Sequence, residues 1–148
     1  MTELPHITVA TIVEREGQFL MVKEMSDSQI VYNQPAGHLE KNETLLQAAE
    51  RETLEETAWR VKPTHLLGIY QYTSPTNGIS YVRHCFITEA LEQVVDQALD
   101  TAIIETQWLS FSDLKARSDE MRSPLVLKVI ADYLSGQRFP LSLLSNSD

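Results

Sequence analysis

The segment from residue 44 to 57 constrains the chain most, because it reads as a helix whose one face has two incompatible halves. It is built of helix formers with neither Gly nor Pro, and Asn42 or Glu43 is available near its start. Residues three and four apart share a helix face, so Leu45, Ala48, Ala49, Glu52, Glu55 and Glu56 form one stripe. The first half of the stripe is small and apolar, which suits packing on a sheet. The second half is three carboxylates. If the stripe packs, the carboxylates lie together at the margin of the core, where repulsion and desolvation both oppose ionisation. Protonation is one remedy and a neighbouring cation is another. Hard divalent ions such as Mg²⁺ or Mn²⁺ take oxygen ligands and tolerate few protein ligands, and no His/Cys cluster offers a softer site. From the helix alone, an acidic face turned to water remains the simpler reading.

Around this helix the chain alternates strand and helix signals. Residues 6–14 (HITVATIVE) are β-branched and apolar, Arg15-Glu16-Gly17 reads as a turn, and residues 18–23 (QFLMVK) return as a second strand. Residues 30–32 are a short apolar run punctuated by Pro35 and Gly37. Pro63 blocks any long continuation of the central helix. Residues 66–72 and 81–88 are further strands joined through Ser74-Pro75-Thr76-Asn77-Gly78, and residues 107–109 form a last short one. Residues 110–116 suit a short helix. Ser123 and Pro124 open another that reaches about Leu134 and ends at Gly136. The pattern predicts an α/β fold with a mixed sheet covered by helices, in one domain spanning residues 1–148.

The composition, 43% hydrophobic and 22% charged, is that of a globular chain. The one cysteine, Cys85, has no internal disulfide partner. The N-terminal MTELPH lacks the basic patch and apolar run of a signal peptide, and no apolar stretch approaches the ~18 residues that span a bilayer. A cytoplasmic protein with no membrane partner is expected. A net charge of -9 argues against a general nucleic-acid binder, though not against a small phosphorylated substrate bridged by a cation. The tail at residues 145–148 is expected to fray. Oligomeric state, monomer or small homo-oligomer, is left open.

The surroundings of the acidic helix add a sharper signal. Gly37 is followed by Glu43, then by Arg51 and Glu52, then by Glu55 and Glu56, within GHLEKNETLLQAAERETLEETAW. This resembles the Nudix box, G-x5-E-x7-R-E-U-x-E-E-x-G-U with U a bulky aliphatic residue, at every fixed position up to the paired glutamates. Thr53 stands where an aliphatic residue is usual, Ala58 where a glycine is, and Trp59 where the last aliphatic is. These departures touch packing and the helix exit, not the carboxylates. HITVATIV, NQPAGHLE, RSPL and SGQRFPL resemble a phosphatase subgroup of the same family, so the likeness runs over nearly the whole chain and is weakest at residues 89–106.

The resemblance implies an α/β/α sandwich and a divalent cation, Mg²⁺ or Mn²⁺, held by Glu52, Glu55 and Glu56 with a backbone carbonyl of Ala36 or Gly37. It makes Glu43 and Arg51 a structural pair within the catalytic apparatus. The reaction it implies is attack of water at phosphorus in nucleoside tri- and diphosphates and related pyrophosphates, and it brings in thiamine diphosphate and its pyrimidine precursor. Glu52 is the first candidate base, and Glu105 is the alternative on a later loop. Asn33 and Gln34 are candidates for a ring, Tyr32 for stacking, and Lys23, Arg83 and His84 for phosphates. Arg83 and His84 are adjacent on a strand, so only one faces the site. His38 reads as loop scaffolding. The competing reading is a Nudix-fold sensor that binds a nucleotide without cleaving it; such modules usually lose box carboxylates, and here all are present.

Overall fold

The computed structural model describes residues 4–146. Residues 1–3, the start of MTELPH, and residues 147–148, the end of the tail, lie outside the described residues. In chain order the described elements are β1 (His6–Arg15), β2 (Gln18–Ser26), β3 (Gln29–Asn33), β4 (Ala36–His38), α1 (Leu45–Thr57), β5 (Trp59–Thr73), β6 (Ser80–Gln93), β7 (Ile103–Ser110), α2 (Phe111–Ala116) and α3 (Leu125–Leu134). The strands run β3-β2-β1-β6-β5, with β4 paired to β1 and β7 to β2. β1 and β6 are parallel and the other pairs antiparallel, so the sheet is mixed, as expected.

Side-chain alternation sorts the two faces of the sheet. Ala10, Ile12, Leu67, Cys85 and Ile87 point one way and pack on Val126, Val129 and Ile130 of α3. Val9, Leu66 and Phe86 point the other way, where Ala48 and Ala49 of α1 are fully buried against them. The apolar half of the stripe therefore does pack on the sheet, and two methyl side chains let the helix come close. The result is an α/β/α arrangement.

The helix α1 starts differently from expectation. Thr44 is its cap: its Oγ1 accepts the Gln47 N–H at 3.1 Å, and Gln47 Oε1 accepts the Thr44 N–H at 2.9 Å, a reciprocal capping box. Asn42 has φ +65°, outside the extended range a cap requires, and Glu43 turns its carboxylate to Arg51 instead. Most strands also exceed the sequence reading, β6 among them at Ser80–Gln93 against the expected 81–88. β4 was read only as punctuation, β7 begins four residues earlier than the expected 107–109, and β5 continues through Pro63. The β5–β6 register shifts between Pro63 and His65, a bulge that absorbs the missing N–H.

Candidate active site

Three short-range features assemble the site. First, β4 hydrogen-bonds along β1 and brings Gly37 against α1. A Cβ on Gly37 would lie 2.1 Å from Glu52 Cδ and 2.2 Å from Glu52 Oε2, so only glycine admits this carboxylate. Second, the Ala36 N–H donates to Glu56 Oε1 at 2.9 Å and aims that side chain. Third, Arg51 ties the pieces together. Its Nε and Nη2 donate to the two oxygens of Glu43 at 2.5 and 2.9 Å, Nη2 to the His38 carbonyl at 3.0 Å, and Nη1 to Glu52 Oε1 at 2.7 Å and Glu55 Oε2 at 3.3 Å. The planar fork suits this bridging task, which a lysine could not perform.

These residues border a cavity of about 580 Å³ lined by Ala36, Gly37, Glu52 and Glu56 on one side. Burial pushes the Glu56 carboxyl up to about 9, against the Ala36 hydrogen bond, with Glu24, Glu52 and Asp100 adding negative charge. Burial also raises Glu52, partly offset by Arg51. The Arg51 hydrogen bond holds Glu43 low, and the Glu43 hydrogen bond in turn raises Arg51. Partly desolvated oxygen donors in a concentrated negative field fit a hard divalent cation. Among the described residues no group of three or more His, Cys, Asp or Glu stands close enough to form a ready ligand cage.

The structure sorts the remaining expectations. The Glu55 side chain is 42% exposed, rests on Arg51 and does not line the cavity. Asn33 and Arg83 line it; Arg83 is 6% exposed and donates to Asn33 Oδ1 at 2.8 Å and Gln34 Oε1 at 3.3 Å. Gln34, expected at the substrate, is instead 1% exposed and spends its amide on the Val126 carbonyl and Arg83. Lys23, expected at phosphate, faces away from the cavity because alternation on β2 turns Glu24 into it. Alternation likewise turns His84 away, where its Nδ1 donates to the Thr8 carbonyl at 3.2 Å. Glu105 is opposite Lys23 on β7, exposed and hydrogen-bonded by Gln107, outside the cavity. Tyr32 is 3% exposed beneath Arg117, in the core. His38, read as scaffolding, does line the cavity; its Nε2 meets His6 Nδ1 at 2.9 Å, and burial lowers its pKa.

Sequence reasoning overlooked several lining residues, charged and aromatic ones among them. Glu24 is buried and accepts from Arg122 Nη1 at 3.0 Å and from Asn33 Nδ2 at 3.4 Å. Arg122 comes from RSPL, a segment already singled out but given no role. Asp100 is held in the loop before β7 by its N–H on the Glu55 carbonyl at 2.9 Å, and no sequence signal marked it. Tyr72 and Tyr81 close the far end.

The box departures are packing solutions. Thr53 is fully buried, its hydroxyl shared between the Ala49 carbonyl and Thr11 Oγ1, each at 2.8 Å. Ala58 adopts φ +64°, the left-handed conformation a glycine takes more easily. Trp59 packs with Val13, Leu20 and Val61, edge-on to Trp108 and under the Arg15 guanidinium.

The fold and this box geometry define a class of phosphate-cleaving hydrolases. The family model for the NUDIX domain matches residues 4–129, and the chain belongs to the Nudix family as a Nudix phosphohydrolase. It is 41% identical over 143 residues to the phosphatase NudJ of Escherichia coli strain K12, an alignment covering 96% of this chain and 92% of that one. NudJ of Shigella boydii is equally similar. A solved NUDIX hydrolase from Nitrosomonas europaea superposes with a TM-score of 0.94 at 40% identity, over 97% of each chain. No helix among the described residues is long and apolar enough to cross a membrane.

Proposed function

We propose that this chain hydrolyses nucleoside tri- and diphosphates and related organic pyrophosphates, with thiamine diphosphate and its pyrimidine precursor in the same range, using Mg²⁺ or Mn²⁺. One observation carries the reading: Glu52 and Glu56, both largely shielded from water, converge on β4, Glu52 in the space that Gly37 leaves open and Glu56 on the Ala36 N–H. Glu52, Glu56 and the backbone at Ala36 or Gly37 would hold the cation, with Glu55 at its outer margin. When bound, a divalent ion supplies positive charge to the phosphoryl oxygens and acidifies water. Glu52 Oε1 is hydrogen-bonded to Arg51, so if Glu52 acts as the base its Oε2 takes the proton of the attacking water while Glu56 and the backbone hold the cation. Asp100, facing the cavity, replaces Glu105 as the alternative base. Arg122 and Arg83 orient the phosphate chain, and Asn33 keeps Arg83 in place.

The test is release of phosphate and of pyrophosphate from ATP, GTP, their diphosphates, thiamine diphosphate, ADP-ribose and a dinucleoside polyphosphate, with each metal. Glu56→Gln is expected to lower turnover ~100-fold or more, as chelator does. A folded wild type that turns over none of these compounds with either metal would refute the proposal and favour the nucleotide sensor.

A further inference from the structure

The cavity extends much farther than a phosphoryl group. Thr8 of β1 pairs with His38 on β4 and with Arg83 on β6, His6 pairs with Tyr81, and Tyr81 pairs with Tyr72 on β5. Crossing from Ala36 to the tyrosines traverses two or three strands and four residues of register, roughly 15–20 Å at ~4.8 Å per strand and ~3.3 Å per residue. The lining changes character along that path. Carboxylates occupy the β4 end, Arg83 and Arg122 the middle, and Tyr72, Tyr81 and Asn77 the far end.

The far end is preorganised. Tyr72 and Tyr81 are directly opposed across β5 and β6 and stand on one face, half-buried. Asn77 Nδ2 donates to Tyr81 Oη at 3.0 Å while Asn77 Oδ1 accepts the Ile79 N–H at 2.9 Å, which locks the turn to the ring. His6 braces the Tyr81 ring edge-on, centroids 5.5 Å apart. The other groups suited to a ring are already spent: Tyr32 is core, and the amides of Asn33 and Gln34 serve Arg83 and its neighbours.

We infer that Tyr72 and Tyr81 form the specificity subsite of this enzyme, seating a planar heterocycle whose attached diphosphate runs over Arg83 and Arg122 to the carboxylates. The inference rests on the hydrolase reading of the same cavity. Aromatic faces bind any flat ring by stacking, and Asn77 with the tyrosine hydroxyls adds polar selection at its edge.

The experiment compares kcat/KM for ADP with that for inorganic tripolyphosphate, which has no ring. In Tyr72→Ala/Tyr81→Ala the preference for ADP should fall about ten-fold or more, through KM rather than kcat. Tyr72→Phe/Tyr81→Phe keeps both faces and should retain most of it. Tyr72→Leu, which preserves bulk, serves if the double alanine variant does not fold. An unchanged preference, or an equal loss in the phenylalanine pair, overturns the subsite. If the wild type hydrolyses neither compound, the hydrolase reading fails by itself. The subsite is then judged by calorimetric binding of ADP: about ten-fold weakening in the alanine pair supports it, and equal binding, or none by the wild type, overturns it.

Discussion

The Glu52 carboxylate occupies the space in which a side chain on Gly37 would begin: a Cβ there would lie 2.1 Å from Glu52 Cδ. Two residues on different elements thus share one volume. Gly37→Ala should expel Glu52 from its place and lower kcat by ~100-fold or more, while α1, capped independently by Thr44, stays helical. Steady-state kinetics beside far-ultraviolet circular dichroism checks both halves of this expectation.

Arg51→Lys keeps the charge and loses the fork. A single ammonium cannot reach Glu43, Glu52 and the His38 carbonyl together. We expect a stability loss of ~1–3 kcal/mol by urea unfolding and a ~10–100-fold fall in kcat. Wild-type values for both would remove Arg51 from its assigned role.

Glu56 makes metal-free stability depend on pH. Its folded carboxyl is raised from 4.5 to about 9, chiefly by burial. An acid raised on folding contributes stability that is fully present below its unfolded value and is lost as pH rises through the folded one. Metal-free protein should therefore weaken from about pH 4.5 towards pH 9. Glu56→Gln should flatten this slope and be the more stable at pH 8, by ~1–3 kcal/mol. Added Mg²⁺ should stabilise the wild type and not the variant. Thermal melts across pH in chelator report the first effect, and the same melts with Mg²⁺ report the second.

The Thr11–Thr53 hydroxyl pair should behave non-additively. Thr53→Val leaves Thr11 Oγ1 buried without its partner, at ~1–2 kcal/mol. Thr11→Val should cost a similar amount. The double valine variant should cost clearly less than the sum, since no hydroxyl remains unmet. Additive losses in chemical unfolding would refute the pairing.

Cys85 is fully buried, and burial pushes its thiol up to about 12. Native protein at pH 8 should react with a thiol-specific disulfide reagent only as fast as it opens, and denatured protein at once. Rapid labelling of the native form would contradict the packing of β6 on α3.

Legibility of the sequence followed locality. Gly37, Glu43, Arg51, Glu52, Glu55 and Glu56 fall within one short stretch, so their resemblance to the Nudix box marked them, and α1 followed from the helix formers around them. β1, β2 and α3 were legible because each carries local marks: apolar runs around the Arg15–Gly17 turn for the strands, and Ser123-Pro124 and Gly136 at the ends of the helix. β4 was not, since three residues pair only because β1, 26 to 30 positions earlier, supplies the partner. Asn33 and Arg83 apart, the middle and far end of the cavity were also hidden. Lys23 and Glu24 are adjacent charges on one strand, and only the fold decides which turns inward. Asp100, Arg122, Tyr72 and Tyr81 meet the box only through sheet register and loop placement, which no linear spacing encodes.

The central strand β1 carries a consequence for how the molecule is made. Its neighbour β6 lies more than sixty positions downstream, in parallel register from His6 with Tyr81 to Val13 with Thr88. Such distant pairing is slow to form, because a long loop must close before any contact rewards it. The box residues from Gly37 to Glu56 are close in sequence, and β4 needs only β1 to pair with. The groups at the ring end arrive only when β5, β6 and the Arg122 loop dock. On the proposed reading, the groups assigned to chemistry and those assigned to selectivity lie in separate stretches of the chain that join only when β6 pairs with β1.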